Sequence, residues 1–275
     1  MSSPTLPGQY VATPASPNGT GALVLSGSSG RVEVARADLL AGHGLHALTY
    51  QWFGAAGQPP GICEYPLELF EPALDRLATT CDRIVLVGVS KSAEALLLYA
   101  AHDPRVDGVV ALAPSHVAWA NVGPGTDGQS RPQRSSWTWR GVPVPFVPYD
   151  DDFAVDTDPP EYRPMYEHSV TAYPDAVEAA RIPVERIFAD VVVVAGEDDR
   201  LWPSAASARE IEARRAAYGL PTTVVTHPAA GHRVILPGEP VATGGARMAR
   251  GGTEAADREL GEQAWPHLLR LLGAG

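Results

Sequence analysis

The chain has little cysteine and almost no lysine. Cys63 and Cys81 are the two cysteines among 275 residues, and they show neither metal-ligand spacing nor a disulfide framework, so reduced thiols are expected. Lys91 is the single lysine, and arginine fills every other basic position. The formal net charge of −11 argues against nucleic-acid binding, because that function needs a concentrated basic surface.

Long apolar runs are also missing. No stretch approaches the roughly 20 residues that span a bilayer, and the opening segment MSSPTLPGQY lacks the charged start and apolar run of a signal peptide. We therefore expect a cytoplasmic protein that does not enter membranes. The acidic run at 150–152 matches no calcium-binding loop, so neither a metal nor a cofactor is expected.

The chain does contain a regular alternation of apolar strand-like runs and helix-like segments. The alternation predicts strands near 22–26, 45–51, 83–88, 107–113, 191–195 and 222–226, and helices near 31–41, 66–78, 91–101, 204–218 and 254–272. This order is typical of an α/β fold whose mostly parallel sheet is covered by helices on both faces. With 45% hydrophobic residues, 1–275 is expected to form a single domain.

One serine stands where such a fold places a nucleophile. Ser90 lies in GVSKSAE (88–94), between a strand-like and a helix-like run. A serine at a strand-to-helix corner is how the α/β-hydrolase fold lifts a hydroxyl above its sheet, and the residues two before and two after it must be small. Gly88 meets that requirement, whereas Ser92 stands where the motif usually has glycine.

An acid and a histidine follow in the order expected for a catalytic triad. A buried strand-like run leads into GEDDRLWPS (196–204), where Asp199 fits the spacing of the triad acid and Asp198 is the alternative. The next strand leads into a loop that carries His232, which we assign as the general base. His227 lies inside or just after that strand and is expected to be structural.

Two backbone amides are candidates for an oxyanion hole. The N–H of Lys91 follows the nucleophile and opens a helix whose dipole favours negative charge. The second donor is expected from the Gly/Ser loop at 26–30, with Ser28 as our choice, and a flexible turn is the alternative interpretation of that loop. His116 follows the strand near 107–113 and is kept as a further residue within reach of the site.

The segment from about 117 to 165 breaks the alternation. It is rich in proline, arginine and aromatic residues, and a connection of this length is typical of a functional loop or lid. It follows the strand after the nucleophile helix, so we expect it to fold over Ser90 and to form an acyl or aromatic pocket. The residues expected to line that pocket are Trp119, Trp137, Trp139 and Phe146.

Six segments and the Gly/Ser loop carry a family resemblance from about residue 20 to the C terminus. The segments are ARADLLAGHGLHALTYQW (35–52), GVSKSAE (88–94), HVAWANVG (116–123), IPVER (182–186), GEDDRLWPS (196–204) and AAGH (229–232). In this order they resemble the catalytic domain shared by acyl-CoA thioesterases and bile acid-CoA:amino acid N-acyltransferases. Lys91 and Glu94, which follow the serine, are specific to that family.

The resemblance implies cleavage or transfer of an acyl group held as a thioester, through an acyl-enzyme on Ser90 with Asp199 and His232. Transferases of the family tend to use cysteine as the nucleophile, so serine favours water as the acyl acceptor. Vertebrate members usually carry an additional N-terminal β-sandwich domain, whereas fewer than about twenty residues precede the first core strand here.

The acidic composition does not decide which leaving group the substrate carries. A net charge of −11 repels the phosphates of coenzyme A unless a local basic patch is present. Hydrolysis of an oxygen ester or lactone, acyl transfer in a biosynthetic pathway, and ligand binding without catalysis are the alternatives. Five arginines are candidates for such a patch, although solvated surface positions are the simpler interpretation for them. They are Arg131, Arg134, Arg140, Arg200 and Arg233.

Overall fold

The computed structural model describes residues 6–242 and 245–274. Within those ranges the strands are Tyr10–Ala12 (β1), Thr20–Leu25 (β2), His46–Thr49 (β3), Tyr65–Pro66 (β4), Arg83–Val89 (β5), Gly108–Leu112 (β6), Trp137–Trp139 (β7), Val142–Pro143 (β8), Asp190–Gly196 (β9) and Thr223–His227 (β10). The α-helices are Val34–Gly42 (α1), Glu71–Leu77 (α2), Lys91–Ala100 (α3), Arg163–Ala172 (α4), Pro174–Ala179 (α5), Ser204–Ala217 (α6) and Glu254–Leu271 (α7).

Seven strands form one sheet in the order β1-β3-β2-β5-β6-β9-β10, in which β1 alone runs antiparallel to its neighbour. Alternate residues of β5 show how the two faces are covered. Ile84 and Leu86 pack into a core with α2, α3 and α6, whereas Val85 and Val87 pack into a second core with α1 and α7. The predicted α/β architecture, a mostly parallel sheet between two helical layers, is therefore confirmed.

Several element boundaries differ from the sequence-based expectation. The predicted helix 66–78 is a 3-10 turn at Leu67–Phe70 followed by α2, and the predicted helix 31–41 begins only at Val34. The edge strand β1 and the helices α4 and α5 were not predicted. The three residues of β1 are too few to show a period, and α4 and α5 are short helices that overlap or follow the end of the segment 117–165, where no helix was predicted.

The segment 117–165 contains more order than predicted. Its strands β7 and β8 join β4 in a second, three-stranded sheet, and isolated bridges tie Trp119 to Val147 and Ala120 to Ser135. Such short pairings between distant parts of the chain leave no periodic signal in the sequence.

Candidate active site

At the corner around Ser90, the end of β5 packs very closely against the first turn of α3. A Cβ atom on Gly88 would lie 2.8 Å from backbone atoms of Ser92 and Ala93, so only glycine fits there. Ser90 has a φ of 58° and a ψ of −122°, a positive-φ backbone that a residue with a side chain rarely adopts. A strained serine between a strand and a helix is the geometry of a nucleophile elbow.

Ser92, the departure from the usual glycine, ties three elements of the corner together. Its Oγ accepts a hydrogen bond of 2.8 Å from the amide of Val89 and donates one of 2.8 Å to the carbonyl of Leu25. The side chain is fully buried. It therefore joins α3 to the end of β5 and to the end of β2.

Asp199 and His232 are in direct contact. The Nδ1 of His232 donates to Asp199 Oδ2 over 2.8 Å, and Ser204 Oγ donates to the same oxygen over 2.6 Å. The second oxygen accepts the amide of Leu201 at 2.9 Å, and Asp199 is completely buried. The carboxylate thus fixes the imidazole through Nδ1, which leaves Nε2 available to act as an acceptor.

Asp198, the alternative for the acid, and His227, the other histidine near the site in sequence, make different contacts. Asp198 accepts the amide of Gly252 at 2.9 Å, and that bond holds the pKa of Asp198 below its usual range. His227, at the end of β10, faces Glu259 with 3.1 Å between Nε2 and the carboxylate. Neither side chain contributes to the contact between Asp199 and His232.

The Gly/Ser loop packs against the nucleophile corner. A Cβ on Gly27 would lie 3.0 Å from the carbonyl oxygen of Val89 and 3.1 Å from the Cβ of Ser90, so glycine permits this close approach. Ser28, the predicted oxyanion donor, is the next residue and is exposed, in a turn closed by a 3.1 Å bond from Gly30 N–H to the Gly27 carbonyl.

The structure brings Ser90, Lys91 and the Gly/Ser loop together, and separately brings Asp199 and His232 together. The hydrogen bonds between described residues do not include one from Ser90 Oγ to the His232 ring. Both groups lie at the same edge of the sheet, because Ser90 follows β5 while Asp199 and His232 follow β9 and β10, all parallel strands.

The four predicted pocket aromatics occupy different environments. Trp119 is 2% exposed and Trp137 is 0% exposed, so both rings are packed inside the protein. Trp139 stacks on His102 with 4.5 Å between ring centroids, beyond the C-terminal end of α3 and about 15 Å of helix away from Ser90. Phe146 is half-buried.

His116 lies against α6. Its Nδ1 is 3.0 Å from Ser207 Oγ, and burial lowers the pKa of His116 to about 4. At neutral pH the ring is therefore uncharged.

Two neighbours of the site, Ser204 and Arg250, were not predicted from the sequence. Ser204 opens α6 inside the GEDDRLWPS motif, and its position five residues after Asp199 was a usable signal. Arg250 comes from the loop before α7, where its carbonyl accepts the amide of His232 at 2.8 Å. Nothing in the local sequence around Arg250 indicates that contact.

A cavity of about 290 Å³ lies beside the histidine loop. Arg233 and Arg250 line it together with the start of α7, and so do two carboxylates, Glu254 and Asp257. Burial lowers the pKa of Arg250, and the nearby charges of Arg233 and Arg31 lower it further. The cavity thus brings two guanidinium groups and two carboxylates together at one place.

The other arginines considered for a basic patch are compensated or remote. Arg131 pairs with Asp151, Arg134 pairs with Asp127, and Arg200 pairs with Asp198. Arg140 lies over the ring of Trp139, 5.4 Å from its centroid.

Across 6–242 and 245–274, none of the helices combines the length and apolarity that crossing a bilayer requires. The same residues include no cluster of three or more His, Cys, Asp or Glu side chains arranged to hold a metal ion.

Comparison with known proteins gives a family and a fold. A family model described as BAAT / Acyl-CoA thioester hydrolase C terminal matches residues 65–273. Acyl-coenzyme A thioesterase 1 of Mus musculus is 26% identical over 270 residues, which are 92% of this chain and 57% of that protein. Acyl-coenzyme A thioesterase 2, mitochondrial, from the same organism, is also 26% identical over 270 residues, with 90% and 53% covered. The chain spans about half the length of these curated relatives.

Solved structures with low sequence identity share the fold. The acylaminoacyl peptidase of Pyrococcus horikoshii superposes with a TM-score of 0.55 at 8% identity, over 95% of this chain and 39% of that chain. A probable hydrolytic enzyme from Pseudomonas aeruginosa PAO1 gives a TM-score of 0.52 at 16% identity, over 96% and 88%. The predicted α/β-hydrolase fold is confirmed.

Proposed function

The chain belongs to the BAAT / acyl-CoA thioester hydrolase C-terminal family, and from that premise we propose that it is a serine hydrolase that cleaves acyl thioesters through a covalent acyl-enzyme. The observation that carries the proposal is the buried Asp199–His232 pair at the same sheet edge as the strained Ser90 corner. Parallel β5 and β9 lie on either side of β6, about 10 Å apart at the usual strand spacing. Side chains from the loops beyond them can span that gap.

In the first half of the proposed reaction, His232 acts as the base. Its Nε2 takes the proton of Ser90 Oγ while Oγ forms a bond to the thioester carbonyl carbon. Asp199 holds the ring in the required tautomer and stabilises the imidazolium that forms. When the tetrahedral intermediate collapses, the carbon–sulfur bond breaks and the imidazolium gives its proton to the leaving sulfur.

In the second half, water replaces the thiol. His232 removes a proton from water as the oxygen attacks the acyl carbon, and the bond to Ser90 Oγ then breaks with return of the proton to the serine. We assign stabilisation of the oxyanion in both halves to the amides of Lys91 and Ser28. The packing of Gly27 against Ser90 supports a loop donor at this position.

The arginine-lined cavity favours a coenzyme A thioester over a small neutral ester. Arg233 directly follows His232, and Arg250 is bonded through its carbonyl to the amide of His232, so the cavity adjoins the site where the leaving group departs. The lining holds two guanidinium groups and two carboxylates, so the proposed phosphate binding depends on direct contacts from the arginines and not on a net positive charge of the cavity. Oxygen-ester hydrolysis and acyl transfer to an amine or alcohol use the same catalytic groups and are the alternatives.

The nucleophile is tested with Ser90→Ala. We expect loss of turnover of an acyl-CoA and loss of covalent labelling by a fluorophosphonate, while Ser169→Ala, a buried serine in α4, keeps both. Undiminished activity of Ser90→Ala would exclude Ser90 as the nucleophile.

The leaving group is tested by comparing a CoA thioester with a p-nitrophenyl ester of equal chain length. If the cavity binds the CoA phosphates, Arg233→Ala raises KM for the thioester and leaves KM for the neutral ester unchanged. Equal effects on both substrates would argue for the oxygen-ester alternative. Product that depends on an added amine or alcohol would instead indicate a transferase.

The segment 117–165 is proposed as the part of the chain that covers the acyl group.

The cytoplasmic location also remains a prediction. One of the two mouse relatives is named as mitochondrial, so cell fractionation is the measurement that decides where this protein is located.

A further inference from the structure

Lys91 and Glu94 form a buried ion pair on the helix that begins at the nucleophile. Lys91 Nζ lies 3.0 Å from each carboxylate oxygen of Glu94, and the two side chains are 3% and 0% exposed. Burial raises the pKa of Glu94 and lowers that of Lys91, and each shift is opposed by the charge of the partner. Neither side chain has a role in the proposed chemistry, although a buried pair carries a large desolvation cost.

Glu94 also accepts two hydrogen bonds from the segment 117–165. Its Oε1 accepts the backbone amide of Trp119 at 3.0 Å and the indole Nε1–H of Trp137 at 2.6 Å. The amide of Glu94 donates to the carbonyl of Ser90 at 3.1 Å, one helical turn away. One carboxylate therefore fastens two separate points of the inserted segment to the start of α3.

A row of aromatic rings leads from this anchor to the imidazole. Trp119 meets Tyr166 edge to face at 4.6 Å between ring centroids, Tyr166 meets Trp202 at 5.8 Å, and Trp202 meets His232 at 6.0 Å. The backbone amide of Trp202 is 3.3 Å from Asp199 Oδ1. Because close-packed side chains transmit strain to their neighbours, a displacement of Trp119 would shift the rings in this row and, through them, the imidazole.

We infer that Glu94 is a positioning residue whose carboxylate holds Trp119 and Trp137 on α3 and, through the aromatic row, sets where His232 lies relative to Ser90. This inference rests on the proposed function. The charge of Lys91 opposes the rise that burial causes in the pKa of Glu94, and the Lys91 side chain is itself buried. Glu94 acts on the reaction only through the residues that it holds.

The test compares two double variants that are both free of buried charge. In Lys91→Met with Glu94→Gln, the amide oxygen can still accept the two N–H groups of Trp119 and Trp137, and the amide nitrogen no longer faces an ammonium. In Lys91→Met with Glu94→Met, the volume is similar but the acceptor is gone. The number of working sites in each preparation is titrated with a fluorophosphonate, and kcat, KM and the labelling rate constant are expressed per titrated site.

Both double variants carry Lys91→Met, so any effect of that substitution is common to both, and the glutamine variant is the reference for the methionine variant. The methionine variant should lose about ten-fold to a hundred-fold in kcat and in labelling rate per titrated site, with KM little changed, since small misplacements of catalytic groups have effects of this size. A purely structural role would instead reduce the number of titrated sites and leave the rate constant of each site unchanged.

Equal rate constants in the two double variants would overturn the inference. If both rate constants are lowered equally, the effect belongs to the shared substitution Lys91→Met. If the methionine variant yields no folded protein, Trp137→Phe removes one donor to Glu94 and keeps an aromatic ring. We expect it to lower kcat per titrated site several-fold, and a native value would contradict the role of Glu94. Failure of the proposed function is separate, because it appears as full turnover in Ser90→Ala.

Discussion

Ser92 provides a quantitative test of how the nucleophile corner is held. The side chain is fully buried at the second position of α3, and its Oγ accepts the amide of Val89 and donates to the carbonyl of Leu25 at 2.8 Å, the nearer of two carbonyls within reach, the other being that of Val89 at 3.1 Å. Ser92→Ala removes both bonds and leaves both backbone groups without that partner. The change in side-chain volume is only that of a hydroxyl group.

The expected loss follows from the two backbone groups. A buried donor or acceptor left without a partner costs about 1–3 kcal/mol, so Ser92→Ala should lower the free energy of unfolding by about 2–4 kcal/mol. Ser92→Gly, which restores the usual residue of the motif, should lower it by about 1 kcal/mol more, because glycine in a helix adds a backbone entropy cost.

Ser169 in α4 is the matched control for this prediction. It is also fully buried, but its Oγ has no hydrogen-bond partner among the described residues, so Ser169→Ala should change stability by no more than about 0.5 kcal/mol or increase it. Urea unfolding followed by circular dichroism gives both values, provided that the denaturant dependence is unchanged. Equal losses in the two variants would mean that the hydrogen bonds of Ser92 contribute nothing beyond buried volume.

Two further predictions concern the acid and a buried histidine. Asp199→Asn should lower kcat by on the order of 10³-fold or more because the amide no longer selects the tautomer of His232, while Asp198→Asn should stay near the native rate; the reverse result would reassign the acid. His116, whose pKa burial lowers to about 4, binds its proton less readily in the folded than in the unfolded chain, so stability should fall by up to about 3 kcal/mol as pH drops from about 6.5 to about 4. Urea unfolding across that range should show a smaller slope for His116→Gln, and an unchanged slope would refute the assignment.

The strands and the serine corner could be predicted because local sequence determines them. The run Val191–Val194 is a branched apolar stretch typical of a buried parallel strand, and it lies in β9. Gly88 is required by a contact with residues only four and five positions away. The spacing that favoured Asp199 over Asp198 is also local, because it depends on a single loop. In the structure it is Asp199 that accepts the hydrogen bond from His232.

The surroundings of the corner could not be predicted in the same way. Aromatic composition alone suggested that Trp119 and Trp137 line an acyl or aromatic pocket, and nothing in it indicated that both are buried around the carboxylate of Glu94. That contact joins residues 25 and 43 positions apart, and no periodic pattern encodes it. The contact of Arg250 with the histidine loop is equally non-local.

The same geometry explains why the one lysine of the chain stands at position 91. The carboxylate of Glu94 already accepts two N–H groups from the inserted segment, so few lone pairs are left for a cation. Lysine has three N–H donors, of which two point to the carboxylate oxygens while Nζ also lies 5.4 Å from the centroid of the Trp137 ring. Arginine would bring five donors in a rigid fork, and some of them would be buried without an acceptor. A compact cation with few donors is what this pocket accommodates, even in a chain that otherwise uses arginine throughout.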